Sequence, residues 1–244
     1  MSENIKEKNK VLSFWKQIKE DLTVPKKNDP ALNSNIELLF NYPGVWAIIN
    51  HRLANRLYKR NFKIIARIIM GIAQFFCKMD IHPAATIGRR VFIDHGIGVV
   101  IGETAIIEDD VLIYQGVTLG GVSLDKGKRH PTIKANSVIG SGAKVLGNIT
   151  VGKNSKIGAN SVVVRDVPDN STALGIPAKV VQKSDKNGKL NHSHLPDFDK
   201  ELFLYLLKKV AIHDHTLNDK NCINIPNNSR EQDIYNDFIK SIKY

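Results

Sequence analysis

Residues 133–163 read IKANSVIGSGAKVLGNITVGKNSKIGANSVV, with a branched aliphatic at every sixth position: Ile133, Ile139, Val145, Val151, Ile157 and Val163. Four places after each stands a small or β-branched residue, Ser137, Ala143, Ile149, Ser155 and Ser161. Gly follows the aliphatic in Ile139-Gly140, Val151-Gly152 and Ile157-Gly158. Working outward, the same register runs through Ile101, Ile107, Ile113 and Leu119, and before that through Ile81, Ile87 and Ile93. Ala85, Val91, Ala105, Val111 and Val117 fill the small position there. Thirteen aliphatics in one register make internal repetition the feature that decides the fold. One large and one small residue per six suit a short strand and a tight corner facing a narrow interior. Three such sides close a triangular coil, and stacked coils bury a continuous aliphatic column.

The register breaks twice. Two extra residues fall between Ile93 and Ile101, around Asp94-His95-Gly96. The long insert Gly120 to Pro131, rich in Gly and Lys, separates Leu119 from Ile133 and is expected to stand off the prism as a flexible loop. Breaks in a regular scaffold are where function concentrates.

Residues 1–79 have a helical period instead. Trp46, Ile49, Leu53 and Leu57 recur at helical spacing, as do Ile64, Ile68, Ile72 and Phe76. Asn41-Tyr42-Pro43-Gly44 separates one helix from the next, and Asp29-Pro30 has the form of a helix start. In Phe62–Met79 the polar residues Lys63, Arg67, Gln74 and Lys78 share one stripe, so this is an amphipathic helix, not a membrane span. After about Lys183 the repeat stops. Asp199–Val210 and Ser229–Tyr244 are expected as two tail helices, the second with a capping-box spacing from Ser229 to Gln232, on an Asn-rich tail that covers one end of the solenoid.

Lys and Arg number 35 against 24 Asp and Glu, a net charge of +11. The basic residues are spread along both ends without an aromatic-punctuated stripe, so nucleic acid is not an expected partner; an anionic small substrate is. Two cysteines without a CxxC spacing and a charged start, MSENIKEKNK, read as a cytoplasmic protein without a secretory leader.

Four stretches carry a resemblance. These are Asp80-Ile81-His82-Pro83-Ala84-Ala85, Phe92 to Ala105 with Asp94-His95-Gly96 inside it, Tyr114 to Gly121 followed by Lys128-Arg129-His130-Pro131, and Ile139 to Gly147. With Gly175-Ile176-Pro177-Ala178-Lys179 they resemble the bacterial serine O-acetyltransferases over about residues 28–181. The repeat alone would name only a broad acyltransferase superfamily; the Asp-His pair and the Gly-Lys-Arg-His-Pro loop are specific.

The resemblance implies an α+β chain: an N-terminal α-helical domain over 1–79, a left-handed parallel β-helix over 80–183 with the protruding loop 120–131, and a partly helical C-terminal tail over 184–244. It implies transfer of acetyl from acetyl-CoA, a co-substrate, to the hydroxyl of L-serine, the first step from serine to cysteine. His95 would be the general base, Asp80 would orient it, and Gly121 would offer a backbone N–H to the thioester oxygen. Asp29, Asp94, Glu103, Arg129 and His130 would hold serine. Gly120, Ser141, Gly142, Gly158, Ala159, Pro177 and Lys179 would line the CoA site. A homotrimer or a dimer of trimers follows, with L-cysteine as feedback inhibitor and no metal. Many relatives insert a terminal Ile into O-acetylserine sulfhydrylase; Ile242-Lys243-Tyr244 departs from that anchor and counts against the complex.

The chemistry is apt by itself. A serine hydroxyl needs a base near neutral pKa, and a carboxylate on the far ring nitrogen fixes the tautomer. Arg and Asp together suit an acceptor with a carboxylate and an ammonium, and a Gly corner lets an N–H approach an oxyanion. Each residue also has a plain structural reading. His95 and His82 are ordinary solenoid residues in that reading, Asp80 a coil cap, Asp29 a helix cap, Arg129 and His130 a solvated loop, and Lys179 an end-of-solenoid charge. Rival functions are acetylation of homoserine, a sugar or an antibiotic; a zinc hydrolase using His82, His95 and His130; and a non-catalytic scaffold. The zinc reading needs the three His at matching positions of stacked coils, and their spacing does not fit an 18-residue coil.

Overall fold

The computed structural model describes residues 13–183 together with 205, 206, 209 and 210. The chain divides into two compact units, Met1–Lys189 and Leu190–Tyr244. In the first, four helices precede fifteen short strands: α1 (Phe14–Asn28), α2 (Glu37–Phe40), α3 (Pro43–Lys59), α4 (Lys63–Cys77), then β1 (Asp80–Ile81) through β15 (Ala178–Lys183). In the second, Tyr205, Leu206, Lys209 and Val210 are helical, with Lys209 over the Tyr205 ring. The rest of the expected helix Asp199–Val210, and all of Ser229–Tyr244, lie outside the described residues.

From β1 to β13 every third strand is a neighbour. Sheet A has the order β1-β4-β7-β10-β13, sheet B β11-β8-β5-β2, and sheet C β15-β14-β12-β9-β6-β3. All pairings are parallel except the terminal hairpin of β14 (Ser171–Gly175) with β15, so the coils form a parallel β-helix. Partners in sheet A lie 20 residues apart between Asp80 and Val100, 18 between Val100 and Thr118, 26 between Thr118 and Lys144, and 18 between Lys144 and Val162. The long coils are those with the two register breaks. The second residue of each strand points inward, and Ile81, Ile101, Leu119 and Val145 of sheet A, Ile107 and Ile133 of sheet B, and Ile113 and Ile139 of sheet C are all at most 1% exposed. Each such side chain contributes about 1.5–3 kcal/mol relative to exposure. Corner hydroxyls inside the prism are satisfied: Ser137 donates to Gly152 O and Ser155 to Pro168 O, both at 2.7 Å.

The helices close the open end of this stack. The N–H groups of the first coil donate to the second coil, as in His82 N to Ile101 O at 2.9 Å, which leaves first-coil carbonyls facing outward without a strand. Side chains of α3 supply the missing donors. Asn55 Nδ2 donates to Pro83 O and Ala85 O, the His51 ring contacts Ala85 O at 3.1 Å, and Arg52 donates to Ile87 O and Gly88 O at 2.5 and 2.6 Å. Arg52 also pairs with the buried Asp21 of α1 at 3.1 Å. Helices and coils accordingly share one core, from Ala47 and Ile48 through Ala66 and Met70 to the aliphatic column.

Two helical expectations change. The stripe Ile64, Ile68, Ile72 and Phe76 of α4 is the outer face, 55–76% exposed. The buried face is Ala66, Met70, Ala73 and Cys77, because small residues let α4 lie close against Ala47, Ile48 and Ala54 of α3. Asp29-Pro30 ends a helix instead of starting one. Asp29 is the C-terminal cap of α1, and its Oδ1 accepts Ala31 N–H at 2.8 Å, an Asx turn that carries the chain away from helix. The break at Asn41-Tyr42 does precede a helix, with Pro43 in the first turn of α3.

Candidate active site

The triangular coil has three edges, and the strand register assigns each candidate residue to one of them. The edge between sheets B and C is structural. Arg90, Asp110, Asn136, Asn154 and Asn170 stack along it, all at positive φ. Arg90 bonds to Asp110 at 2.6 Å, Asn136 to Asn154 at 3.2 Å and Asn154 to Asn170 at 2.9 Å. Asn and Asp tolerate this left-handed conformation, and their amide ladder satisfies the corner.

The edge between sheets C and A carries Asp94 and His95, then Tyr114, then Ser141 and Gly142, then Gly158 and Ala159. His95 lies in the two-residue insert at φ 57°, a left-handed conformation that favours Gly. The neighbouring Gly96 is at φ 74°, where a side chain is strained, and a Cβ there would also displace the end of Met79, 2.0 Å away at Cε. The insert thus lifts His95 out to an exposed position while Gly96 tucks under it. From the helical segment, Asp29 reaches this edge. Tyr42 donates its hydroxyl to Asp29 Oδ2 at 2.6 Å. That bond, then the Ala31 amide, and then the His95 charge hold the Asp29 carboxyl below its ordinary pKa. Burial, followed by the Asp29 bond, pushes the Tyr42 phenol up to about 12, with Asp94 contributing.

The edge between sheets A and B carries His82, then Glu103 and Thr104, then Gly120, Gly121 and the loop to His130. Arg129 donates to Glu103 Oε2 at 2.6 Å, and this bond holds the Glu103 carboxyl below its ordinary range. The His130 ring lies against bare backbone: a Cβ on Gly102 would be 2.0 Å from its Cδ2 and Nε2. Gly121 borders the same ring, its would-be Cβ 3.3 Å from His130 Nε2. Burial foremost, then Arg129 and Lys128, lowers the His130 pKa. The expected free-standing loop is therefore only half right. Residues 121–128 are exposed, yet Lys128, Arg129 and His130 are tied to the preceding coil. Lys128 Nζ donates to Thr104 O at 2.8 Å, to Pro131 O at 3.2 Å and also to His130 O.

Asp80 sits between these edges on the outer face of sheet A, its N–H bonded to Val99 O at 2.9 Å. Pro177 and Lys179 fall at the turn and start of the terminal hairpin. His82 is half-buried, accepts the Ala84 N–H on Nδ1 at 3.1 Å and packs edge-on against Tyr58. His82 and His130 share one edge and His95 stands on another, so no single copy brings together the three histidines of the zinc reading. Among the described residues no cluster of three or more His, Cys, Asp or Glu could hold a metal, and no helix is long and apolar enough to cross a membrane.

Inspection of sequence alone missed Tyr42, Lys128 and Thr104. Thr104 had a findable signal: it lies 26 residues before His130, the offset between the strands of those two coils, and so stacks directly on it.

One edge thus has an exposed histidine among carboxylates, and another a guanidinium, a neutral imidazole and a glycine amide, a set able to deprotonate a hydroxyl and hold an anionic acceptor. Residues 130–165 match the bacterial transferase hexapeptide (six repeats) family. The serine acetyltransferase of Bacillus pumilus is 56% identical over 81% of this chain and 92% of its own length. This chain belongs to the serine acetyltransferase family. Two solved structures agree. A Brucella abortus serine acetyltransferase in complex with coenzyme A is 41% identical with a TM-score of 0.68, covering 75% of this chain and 72% of that one. A serine acetyltransferase in complex with cysteine is 42% identical with a TM-score of 0.69, covering 75% and 70%.

Proposed function

We propose that this serine acetyltransferase moves the acetyl group of acetyl-CoA to the hydroxyl of L-serine by direct transfer, in a site made of two half-sites on different edges of the prism. The single observation that carries this reading is the division of the candidate residues between those edges, at opposite ends of the sheet A side. Gly98 and Gly102 bound that side, so the edges are roughly 13 Å apart at strand rise. One copy's His95 edge faces the Arg129 edge of the next in a homotrimer of left-handed solenoids, and each interface then holds one complete site.

In that site His95, positioned by Asp80, takes the hydroxyl proton as the serine oxygen attacks the thioester carbon. The new C–O bond forms, the Gly121 N–H stabilises the oxyanion, and collapse breaks the C–S bond. The imidazolium returns its proton to the CoA thiolate. No covalent enzyme intermediate is needed. Arg129 and the His130 ring N–H receive the serine carboxylate, with Glu103 keeping Arg129 in place, and Asp29 and Asp94 receive the ammonium. Ser141, Gly142, Gly158 and Ala159 descend the edge below His95 and, with Gly120, Pro177 and Lys179, receive the CoA arm and nucleotide. L-cysteine has serine's carboxylate and ammonium and competes for that half-site; the cysteine complex of a relative supports this. The protein is cytoplasmic in this reading, and its assembly is a trimer or a pair of trimers.

The test is thiol release from acetyl-CoA with L-serine, L-homoserine and a panel of sugars as acceptors. Turnover with serine alone is expected. Turnover only with another acceptor would overturn the serine assignment, and no turnover with any would overturn the transferase reading. If millimolar cysteine leaves the rate at low serine unchanged, competition at this half-site is wrong.

A further inference from the structure

Every polar atom of Thr104 is bonded to the Lys128–Arg129–His130 segment. Its Oγ1 accepts the Arg129 N–H at 3.0 Å and the His130 N–H at 3.1 Å. Its own N–H donates to His130 Nδ1 at 3.2 Å, and Oγ1 lies 2.9 Å from the same nitrogen. Its carbonyl accepts from Lys128 Nζ at 2.8 Å. These contacts admit one pattern of protons. A backbone amide can only donate, so Nδ1 is an acceptor and has no hydrogen. The Oγ1 lone pairs are taken by two amides, so its hydrogen points at Nδ1 as well. The ring proton is therefore on Nε2, at the end that rests between Gly102 and Gly121.

We propose that Thr104 is a positioning residue for acceptor binding: it locks His130 in the Nε2–H tautomer and clamps the backbone of Arg129 and His130 so that one imidazole N–H and one guanidinium face the same point. The inference rests on the acceptor role given above to those two residues. The clamp joins two successive coils at one corner of the prism. Thr104 is one residue from Glu103, which fixes the Arg129 guanidinium from the same corner at 2.6 Å. Lys128 closes the clamp from the loop side by gathering the carbonyls of Thr104, His130 and Pro131. A loop inserted into a solenoid has no strand partners of its own, and this threonine supplies them.

The experiment pairs kinetics with nitrogen spectra of the full-length protein labelled with 15N-histidine, using Thr104→Val and Thr104→Ser. His130 is assigned by the signals lost in His130→Gln. In the native chain at neutral pH, His130 should show a bare Nδ1 and a protonated Nε2. Thr104→Val keeps the shape but loses the hydroxyl. It should raise the Michaelis constant for serine about 10- to 100-fold, change that for acetyl-CoA much less, and broaden the His130 signals or populate the second tautomer. Thr104→Ser, which restores the oxygen, should return both readouts toward native. A protonated Nδ1 in the native chain would overturn the proposal. So would a Thr104→Val protein with native spectra and native serine constant, or a Thr104→Ser protein as impaired as Thr104→Val. The spectra stand apart from turnover: if the native chain fails to acetylate serine but shows the bare Nδ1, the acceptor reading falls and the clamp remains.

Discussion

Tyr42 donates its hydroxyl to Asp29 Oδ2 at 2.6 Å, and through this bond the start of α3 holds a carboxylate that the helical segment brings to the His95 edge. The bond keeps Asp29 ionised, as an ammonium partner requires. Tyr42→Phe removes the donor and leaves the ring in place. It should raise the Michaelis constant for serine roughly three- to tenfold while leaving that for acetyl-CoA near native. Equal changes in both constants would show that Asp29 is not on the acceptor's side of the site.

His95 combines a reacting role with a conformation that favours glycine, φ 57°. His95→Ala and His95→Gly should each lower turnover by roughly 10²–10⁴-fold. Only the Gly variant releases the backbone strain, so it should be the more stable of the two by about 1 kcal/mol. Melting temperatures beside thiol-release rates measure both. Loss of activity through unfolding would make His95 structural instead.

The division of the site between two edges predicts complementation. His95→Ala and Arg129→Ala should each be nearly inactive alone. Assembled together, they form some interfaces in which a native His95 edge meets a native Arg129 edge, and activity should reappear. Mixed assemblies as inactive as their parents would mean that each site is built within one chain.

The buried His51 makes a prediction about acid. Burial, with the Arg52 charge second, lowers its pKa to about 3, and its Nδ1 has no partner among the described residues. In the unfolded chain His51 protonates near pH 6.5. Between pH 6.5 and about 3 the unfolded state therefore holds the extra proton, and stability falls as pH falls, by up to about 1.4 kcal/mol per unit. It is fully retained above 6.5. His51→Gln, which can still donate to Ala85 O, should flatten this slope in unfolding measured from pH 7 to 4. Parallel pH profiles for both proteins would remove His51 as the cause.

Much of the architecture was legible in the sequence because a coil is a local object. A six-residue period dictates which side chains point inward, and Ile101, Ile113 and Ile139 are buried where the period puts them. The breaks in that period marked His95, Arg129 and His130, because an insert is visible wherever the repeat is strict. The α4 stripe misled for a complementary reason. Hydrophobic spacing reports that a helix has an apolar face, whereas packing selected the face of Ala66, Met70, Ala73 and Cys77, on which the alanines allow close approach to α3.

The sequence by itself determined the repeat, the places where it is interrupted and the chemical types gathered there, since all three are properties of neighbours along the chain. Only the tertiary structure decided that His95 and Arg129 occupy different edges, that Tyr42 governs Asp29, that α3 donates to the carbonyls of the first coil and that Thr104 sets the proton on His130. Those relations join residues from 13 to 36 positions apart, and they depend on the angle at each corner and on where a loop is pinned. Apart from the 26-residue offset that stacks Thr104 on His130, spacing does not encode these, because the free energy that fixes them comes from buried polar groups finding partners in three dimensions.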